Sequence, residues 1–335
     1  MPPNTPAAHA SALLAMPTGH AAAVVAFWFA GSRESGADVQ IFSSQFDRKT
    51  ESWTPAQVTV NRWQKSVQLG HGLRRLGNPV AWLDRQDRIH LFVVATGLGG
   101  WAASRILHLR QARSINSAHA DDALEWEALS LLPLSWWWNI SHLVRNAPLS
   151  LKDGGMMLPT YFELGAKYPL SLRFDAQGEF RAMARISQRR DLLQPTMLAQ
   201  SDTEWLALMR DSGQSKKIRV AQTLDAGQHW QDRPDLDLQN PDAAVAGLAL
   251  AQGQMLLAHN PSEKSRAVLA LSTSADGLQW VQIDTVEQNF VDAENSYPAM
   301  AWSDHSLWLT YTDQRRSIAW RRYALPQARE NGHIR

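Results

Sequence analysis

The side chains able to do chemistry recur in two kinds of place along this 335-residue chain. One kind precedes a strand-like run and holds His9, Asn78, Arg145 with Asn146, Gln194, Asn240 with Asp242, and Glu294 with Tyr297. The other follows a second such run and holds Arg33, Glu34 and Asp38, then Trp101, Tyr161 with Glu163, Arg210 with Asp211, Asn260, and Arg315 with Arg316. Guanidinium forks match multi-oxygen anions, so several of them brought to one point call for a carboxylate or sulfate, and a carboxylated sugar would serve. The carboxylates, the tyrosines and His9 add proton carriers beside them.

Other chemistries lack their residues. There is no cysteine, hence no thiolate nucleophile, disulfide or thiolate metal site. No GxSxG elbow, phosphate-cradling GxxxxGK[ST] loop or HExxH pair is present, and no metal or cofactor is expected. The 33 basic and 32 acidic residues leave a net charge of +1, which gives no global pull toward nucleic acid or an anionic membrane. Residues 1–15 lack the basic and apolar regions of a signal peptide, and residues 21–30 form an apolar run too short to span a membrane. A cytoplasmic location is the expectation, while the oligomeric state stays open.

To act together, these residues need a scaffold that repeats. One pattern does: a polar entry, an apolar strand, a turn rich in Gly, Asp or Ser, and a second strand ending in charge. Gln194-Pro195 leads through Ser201-Asp202 to Trp205-Leu-Ala-Leu-Met-Arg210, and comparable phrases begin near residues 9, 78, 146, 240 and 296. Six copies with period-two alternation and no long helical face predict an all-β, six-bladed propeller of four-stranded antiparallel blades, one domain over residues 1–335. Because the innermost strand starts and the second ends on the same side of the disc, one face gathers the Arg, Asp, Glu, Tyr and Trp residues and the other the hairpin turns. Trp136-Trp137-Trp138 reads as blade packing, with a sugar-stacking platform as the second reading.

Thr223-Leu-Asp225-Ala-Gly227-Gln-His-Trp230 matches the Asp-box pattern, Ser/Thr-x-Asp-x-Gly-x-x-Trp, at every position. A shifted copy ends in Asp276-Gly277-Leu-Gln-Trp280, and eroded ones run from Asp47 to Trp53 and from Asp121-Asp122 to Trp126. With these motifs and the phrases Phe29-Ala-Gly-Ser-Arg-Glu34, Leu143-Val-Arg-Asn-Ala-Pro148 and Ser296-Tyr-Pro298, the chain resembles bacterial sialidase-like proteins of the BNR-repeat class. The resemblance implies a retaining exo-glycosidase acting on a terminal acidic sugar. It casts Tyr297 as nucleophile, Asp38 as acid/base and Arg210 as a grip on the sugar carboxylate; the shared face adds Arg33, Arg145, Arg316, His9, Gln194, Asn78, Asp211 and Glu294 as further candidate binding positions.

Three positions depart from the family pattern. His9 and Asn260 stand where arginines are expected, and Gln194 stands where the tyrosine's glutamate partner would be. Arg145 and Arg316 are candidates to rebuild the arginine cluster, and Glu163 or Glu294 to activate Tyr297. The competing readings are a non-catalytic propeller that binds acidic glycan on the same face, and a lyase using Tyr297 or His9 as base.

Overall fold

The computed structural model describes Met1 and residues 5–34, 36–117, 124–137, 139–251, 253–290 and 292–324. Asp121-Asp122 and Trp138 lie outside the described residues. Strand formers broken by turn residues give six antiparallel sheets in a ring, as the repeat predicts. Blade one holds β1 (Ala7–Ala15), β2 (Ala22–Gly31), β3 (Gln40–Asp47), β4 (Ser52–Trp53) and β5 (Gln57–Val60), and a helix, α1 (Arg62–Leu69), leads to the next blade. Blade two holds β6 (Arg75–Leu83), β7 (Ile89–Thr96), β8 (Ser104–Gln111) and β9 (Trp126–Leu131). Blade three holds β10 (His142–Val144), β11 (Leu149–Ser150), β12 (Met156–Phe162), β13 (Tyr168–Phe174) and β14 (Phe180–Arg185). Blade four is β15 (Leu192–Ala199), β16 (Trp205–Asp211), β17 (Arg219–Thr223) and β18 (Gln231–Asp232). Blade five is β19 (Ala246–Ala249), β20 (Met255–His259), β21 (Val268–Ser274) and β22 (Val281–Gln288), and blade six is β23 (Asn295–Ser303), β24 (Ser306–Asp313) and β25 (Ser317–Ala324).

The expectation of four strands per blade holds for three sheets. Blades one and three divide an outer or inner strand into two pieces, and blade six has three strands. Met1 partly covers that open edge, its ammonium donating to the Ile318 carbonyl at 2.9 Å.

Each blade is apolar on both faces, so core forms at the seams. Six buried clusters correspond to six seams: Phe27 and Leu91 join blades one and two, Phe92 and Leu158 blades two and three, and Met157 and Trp205 blades three and four. Leu206 and Leu257 continue into blade five, Leu256 and Tyr311 into blade six, and Trp28 and Trp308 close six onto one. That closure also carries polar bonds, from Ala10 N to Thr312 Oγ1 at 3.0 Å and from Ser11 Oγ to Thr310 Oγ1 at 2.9 Å.

The Asp-boxes stay structural. Thr223 Oγ1 accepts from the Gly227 amide at 3.0 Å, Asp225 accepts from the His229 amide at 2.9 Å, and the Trp230 indole donates to the Gly227 carbonyl at 3.1 Å. The shifted copy repeats this with Ser274, Asp276 and Trp280. Both lie at outer-strand turns on the face opposite the entrances of the innermost strands.

Candidate active site

At the entrance of the innermost strand, three blades use the same backbone device. In β1, β15 and β23 the register slips so that two residues oppose one, and the first of the two is left-handed: Ala10 (φ 52°), Gln194 (φ 51°) and Tyr297 (φ 53°). Left-handed backbone is unfavourable for a bulky residue, and bulges of this kind re-aim a side chain out of the pleat. Pro195 and Pro298 follow the left-handed residue, where the axis-facing edge strand needs no amide for pairing. In β6 the slip falls at Asn78, just before Pro79.

Tyr297 is half-buried at the mouth of the ring. The His9 ring leans on it with centroids 4.3 Å apart, and the Arg145 guanidinium lies 5.2 Å from its centre. Arg145 is 2% exposed and reaches across the axis, from blade three to the Pro298 carbonyl of blade six at 2.8 Å and the Ser11 carbonyl of blade one at 3.1 Å. Burial pulls its pKa down to about 10. Below it the axis narrows to a cavity of about 20 Å³ lined by small residues, Ala12, Ala81, Thr196, Gly247 and Ala299 among them.

His9 is 3% exposed, and burial, reinforced by Arg315, pushes its pKa down to about 3, so the ring is neutral. Among the described residues, neither of its nitrogens nor Arg145 Nε has a hydrogen-bond partner.

A polar belt runs from there around the face. Gln194 donates to the Tyr161 hydroxyl at 3.4 Å and accepts from Arg210 Nη1 at 3.1 Å. Arg210 Nε binds Asp242 at 2.5 Å, Arg266 donates to the Asp242 carbonyl at 2.7 Å and to Glu294 at 3.0 Å, and Arg315 Nε donates to Glu294 at 2.6 Å. Arg315 also pairs with Glu34. Each blade from three to one thus adds its members in turn, and the belt is open at blade two.

The electrostatics separate the acids. Glu294 is desolvated, which alone would raise its pKa, but the Arg315 and Ser296 bonds prevail and bring it to about 2. Glu163 is exposed as a residue, yet the walls beside its carboxyl desolvate that group and shift it upward, with Arg210 and Lys167 opposing. Burial likewise pushes the Tyr161 phenol up, Glu163 and Tyr297 adding to the effect. Burial opposes the Arg210 charge, but Asp242 outweighs it and the pKa rises.

Set against the sequence expectations, Tyr297, His9, Gln194, Arg145, Arg210 and Glu294 come together. Arg145 is a buried tie between strands and presents no open guanidinium. Arg316 is exposed on its turn, and its neighbour Arg315 joins the belt instead. Asp211 does not face the site: it is 2% exposed and is held by the Gly213 and Ser215 amides and by Arg219 Nε at 3.1 Å. Asn78 is buried, its amide donating to the Val144 carbonyl at 3.1 Å, so it ties blade two to blade three. Asn260 does the same between blades five and six, donating to the Asn295 carbonyl at 2.8 Å.

Arg33 and Asp38 are exposed on the β2–β3 loop, where the Ser32 amide and hydroxyl hold the Asp38 carboxyl below its usual range. The expectation that the tryptophan run packs between blades fails for Trp136 and Trp137, which are 97% and 80% exposed. Arg266 was not among the residues singled out, and Asp242 and Tyr161 were placed on the chemical face without a role. Nothing in the sequence marks Arg266, which follows the second strand of blade five and meets Glu294 only across the seam to blade six.

Residues 22–323 match the BNR repeat-like domain family. Similar solved structures include the Hadza microbial sialidase Hz136, at 14% identity and TM-score 0.74 over 94% of this chain and 65% of that one. The Trypanosoma rangeli sialidase gives 12% identity and TM-score 0.72 over 95% and 55%. A NanB sialidase variant from Streptococcus pneumoniae gives 11% and 0.68 over 94% and 67%. At these identities the likeness is one of fold, and the chain spans about half to two thirds of the length of those proteins. No curated protein matches the chain.

Proposed function

Because the chain belongs to the BNR repeat-like family, we propose that it is a retaining exo-glycosidase of the sialidase type, removing a terminal acidic sugar, sialic acid first, from a glycan. The observation that carries this reading is Tyr297, held in a left-handed bulge at the mouth of the ring within electrostatic reach of Arg210 and Arg315. A phenol can approach a carbon that bears a carboxylate without the repulsion a carboxylate nucleophile would meet. Arg210, with Arg266 and Arg315 beside it, supplies the charge for the sugar's carboxylate.

In the proposed reaction the Tyr297 oxygen bonds to the anomeric carbon as the bond to the leaving oxygen breaks. The leaving oxygen takes a proton, and water later releases the sugar with retained configuration. Gln194 cannot accept the tyrosine proton, and Glu294, held near pH 2, is a weak base. Glu163, whose carboxyl is shifted upward by desolvation, is the remaining candidate base, and Tyr161 is the hydroxyl that both Glu163 and Tyr297 influence. Asp38 would serve the leaving group only after releasing Ser32.

Release of a fluorescent phenol from aryl sialosides and aryl uronides tests this. Tyr297→Phe is expected to lose at least a thousandfold in turnover while binding substrate, and Glu163→Gln to lose a limb of the pH profile. Wild-type rates in Tyr297→Phe, or no turnover of any acidic glycoside by the native protein, would remove the reading.

A further inference from the structure

Between Glu51 and Asp84, and again between Asp87 and Asp121, the chain contains no acidic residue. Those two stretches build α1, which packs on the outer strand β9 with Lys65 Nζ donating to the Trp126 carbonyl at 2.6 Å, and the start of β6 and the β7–β8 loop, which lie on the face that carries Tyr297. They bring Arg62, Arg74, Arg75, Arg105 and His71 to one patch. Arg62 Nη1 donates to the Arg74 carbonyl at 3.0 Å, Arg105 Nη1 lies 3.5 Å from His71 Nε2, and Arg75 borders Gly100 of the loop. Arg74 and His71 are exposed and the other three half-buried. The Arg62 guanidinium covers the Trp63 ring at 4.0 Å, leaving that indole 66% exposed.

The arginines here differ from those of the belt. Arg210, Arg266 and Arg315 each meet a carboxylate. Among the described residues, none of the four arginines over blade two does. In a protein whose net charge is +1, an uncompensated cluster of this size on one sector raises the local concentration of anions. The sector it occupies is the one where the belt is open.

We propose that blade two carries a second anion site, which binds the acidic residues next along a polyanionic carbohydrate whose terminal sugar enters the pocket. This rests on the acidic-glycan reading and narrows it: the substrate is a chain bearing carboxylate or sulfate on successive units. The exposed Trp63 face beside Arg62 suits a sugar ring better than a bare ion.

Oligogalacturonides and chondroitin sulfate oligosaccharides of graded length serve as probes, with dextran oligosaccharides as the neutral control and a single-stranded oligonucleotide as the competing polyanion. Binding is measured by titration calorimetry at two salt concentrations. Affinity is expected to rise with the length of the acidic chain, and Arg74→Ser/Arg105→Ser to lower it at least tenfold and flatten its salt dependence, while hydrolysis of an aryl acidic monosaccharide is unchanged.

Equal binding by the double variant, no binding of acidic chains by the native protein, or tighter binding of the oligonucleotide would overturn the proposal. Acidic chains bound and lost in the variant, with no glycoside hydrolysed, would leave the blade-two site standing and remove the glycosidase.

Discussion

At Arg145 a buried cation is held by two backbone carbonyls, Ser11 and Pro298, in strands that the chain places far apart in sequence. Charge-assisted bonds to carbonyls contribute more than neutral ones, and deleting the guanidinium leaves both oxygens without their donor. Relief of the desolvated charge offsets part of that loss. Arg145→Met is therefore expected to cost about 2 kcal/mol, read as a lower urea midpoint, with Arg145→Lys between the two.

Residue identity was legible in the sequence only as far as chain direction allows. In a strand, neighbours point to opposite sides, so of Arg210 and Asp211 one reaches the pocket and the other is buried against Arg219. Pattern reading admits both. In the same way Arg315 and Arg316 sit on one tight turn, and only the turn geometry selects Arg315.

The elements were more legible. Proline marks the bulged entrances at Asn78-Pro79, Gln194-Pro195 and Tyr297-Pro298, because an edge strand tolerates a missing amide where an interior one does not. The tryptophan loop misled for the opposite reason. Leu132 and Leu134 are buried and Asn139 clamps the loop by donating to Leu132 O at 2.6 Å, so the loop is anchored by its leucines while Trp136 and Trp137 stand out in solvent.

The Asp-box turn gives a test at this scale. Gly227 is left-handed (φ 83°), and a Cβ there would lie 2.9 Å from the Trp205 ring and 3.1 Å from Met157. Gly227→Ala is expected to destabilise by about 3 kcal/mol, through conformation and overpacking together. Gly253, left-handed (φ 81°) with open space around it, isolates the conformational part. Gly253→Ala is expected to cost about 1 kcal/mol. Equal urea midpoints for the two variants would contradict the packing role of the motif.

For the whole molecule, acid is the relevant stress. Burial holds His9 near pKa 3 and His142 and His259 near 4, all neutral in the fold. Unfolded, each would titrate near 6.5. A histidine whose folded pKa is depressed contributes stability that is fully present above its unfolded value and lost as pH falls toward its folded one. Glu294, also depressed, acts only below about 4.5, from its ordinary value toward about 2. The window between pH 6.5 and 4.5 is therefore governed by the several histidines, opposed by Glu163, whose raised carboxyl binds its proton more readily folded than unfolded. The thermal midpoint is expected to be flat above pH 7 and to fall steeply below 6.5, and His259→Gln to make that fall shallower by up to one proton. A midpoint unchanged from pH 7 to pH 5 would show that these rings are not buried neutral.

The ring itself was readable because six seams demand six similar strand pairs. Its closure was not, since blade six stops at three strands and Met1, packed near Trp308, meets its outer strand through a backbone bond to Ile318 that no side-chain pattern encodes.

The guanidinium spanning the axis has a further consequence, for traffic. With Arg145 across it and only about 20 Å³ of space below, the centre of the disc is a cul-de-sac. Under the proposed glycosidase reading, a sugar freed at its blind end would leave only by the doorway through which the glycan entered. The shortened glycan would have to step aside first, so on that reading the protein would trim one unit per encounter and not ratchet along a polymer.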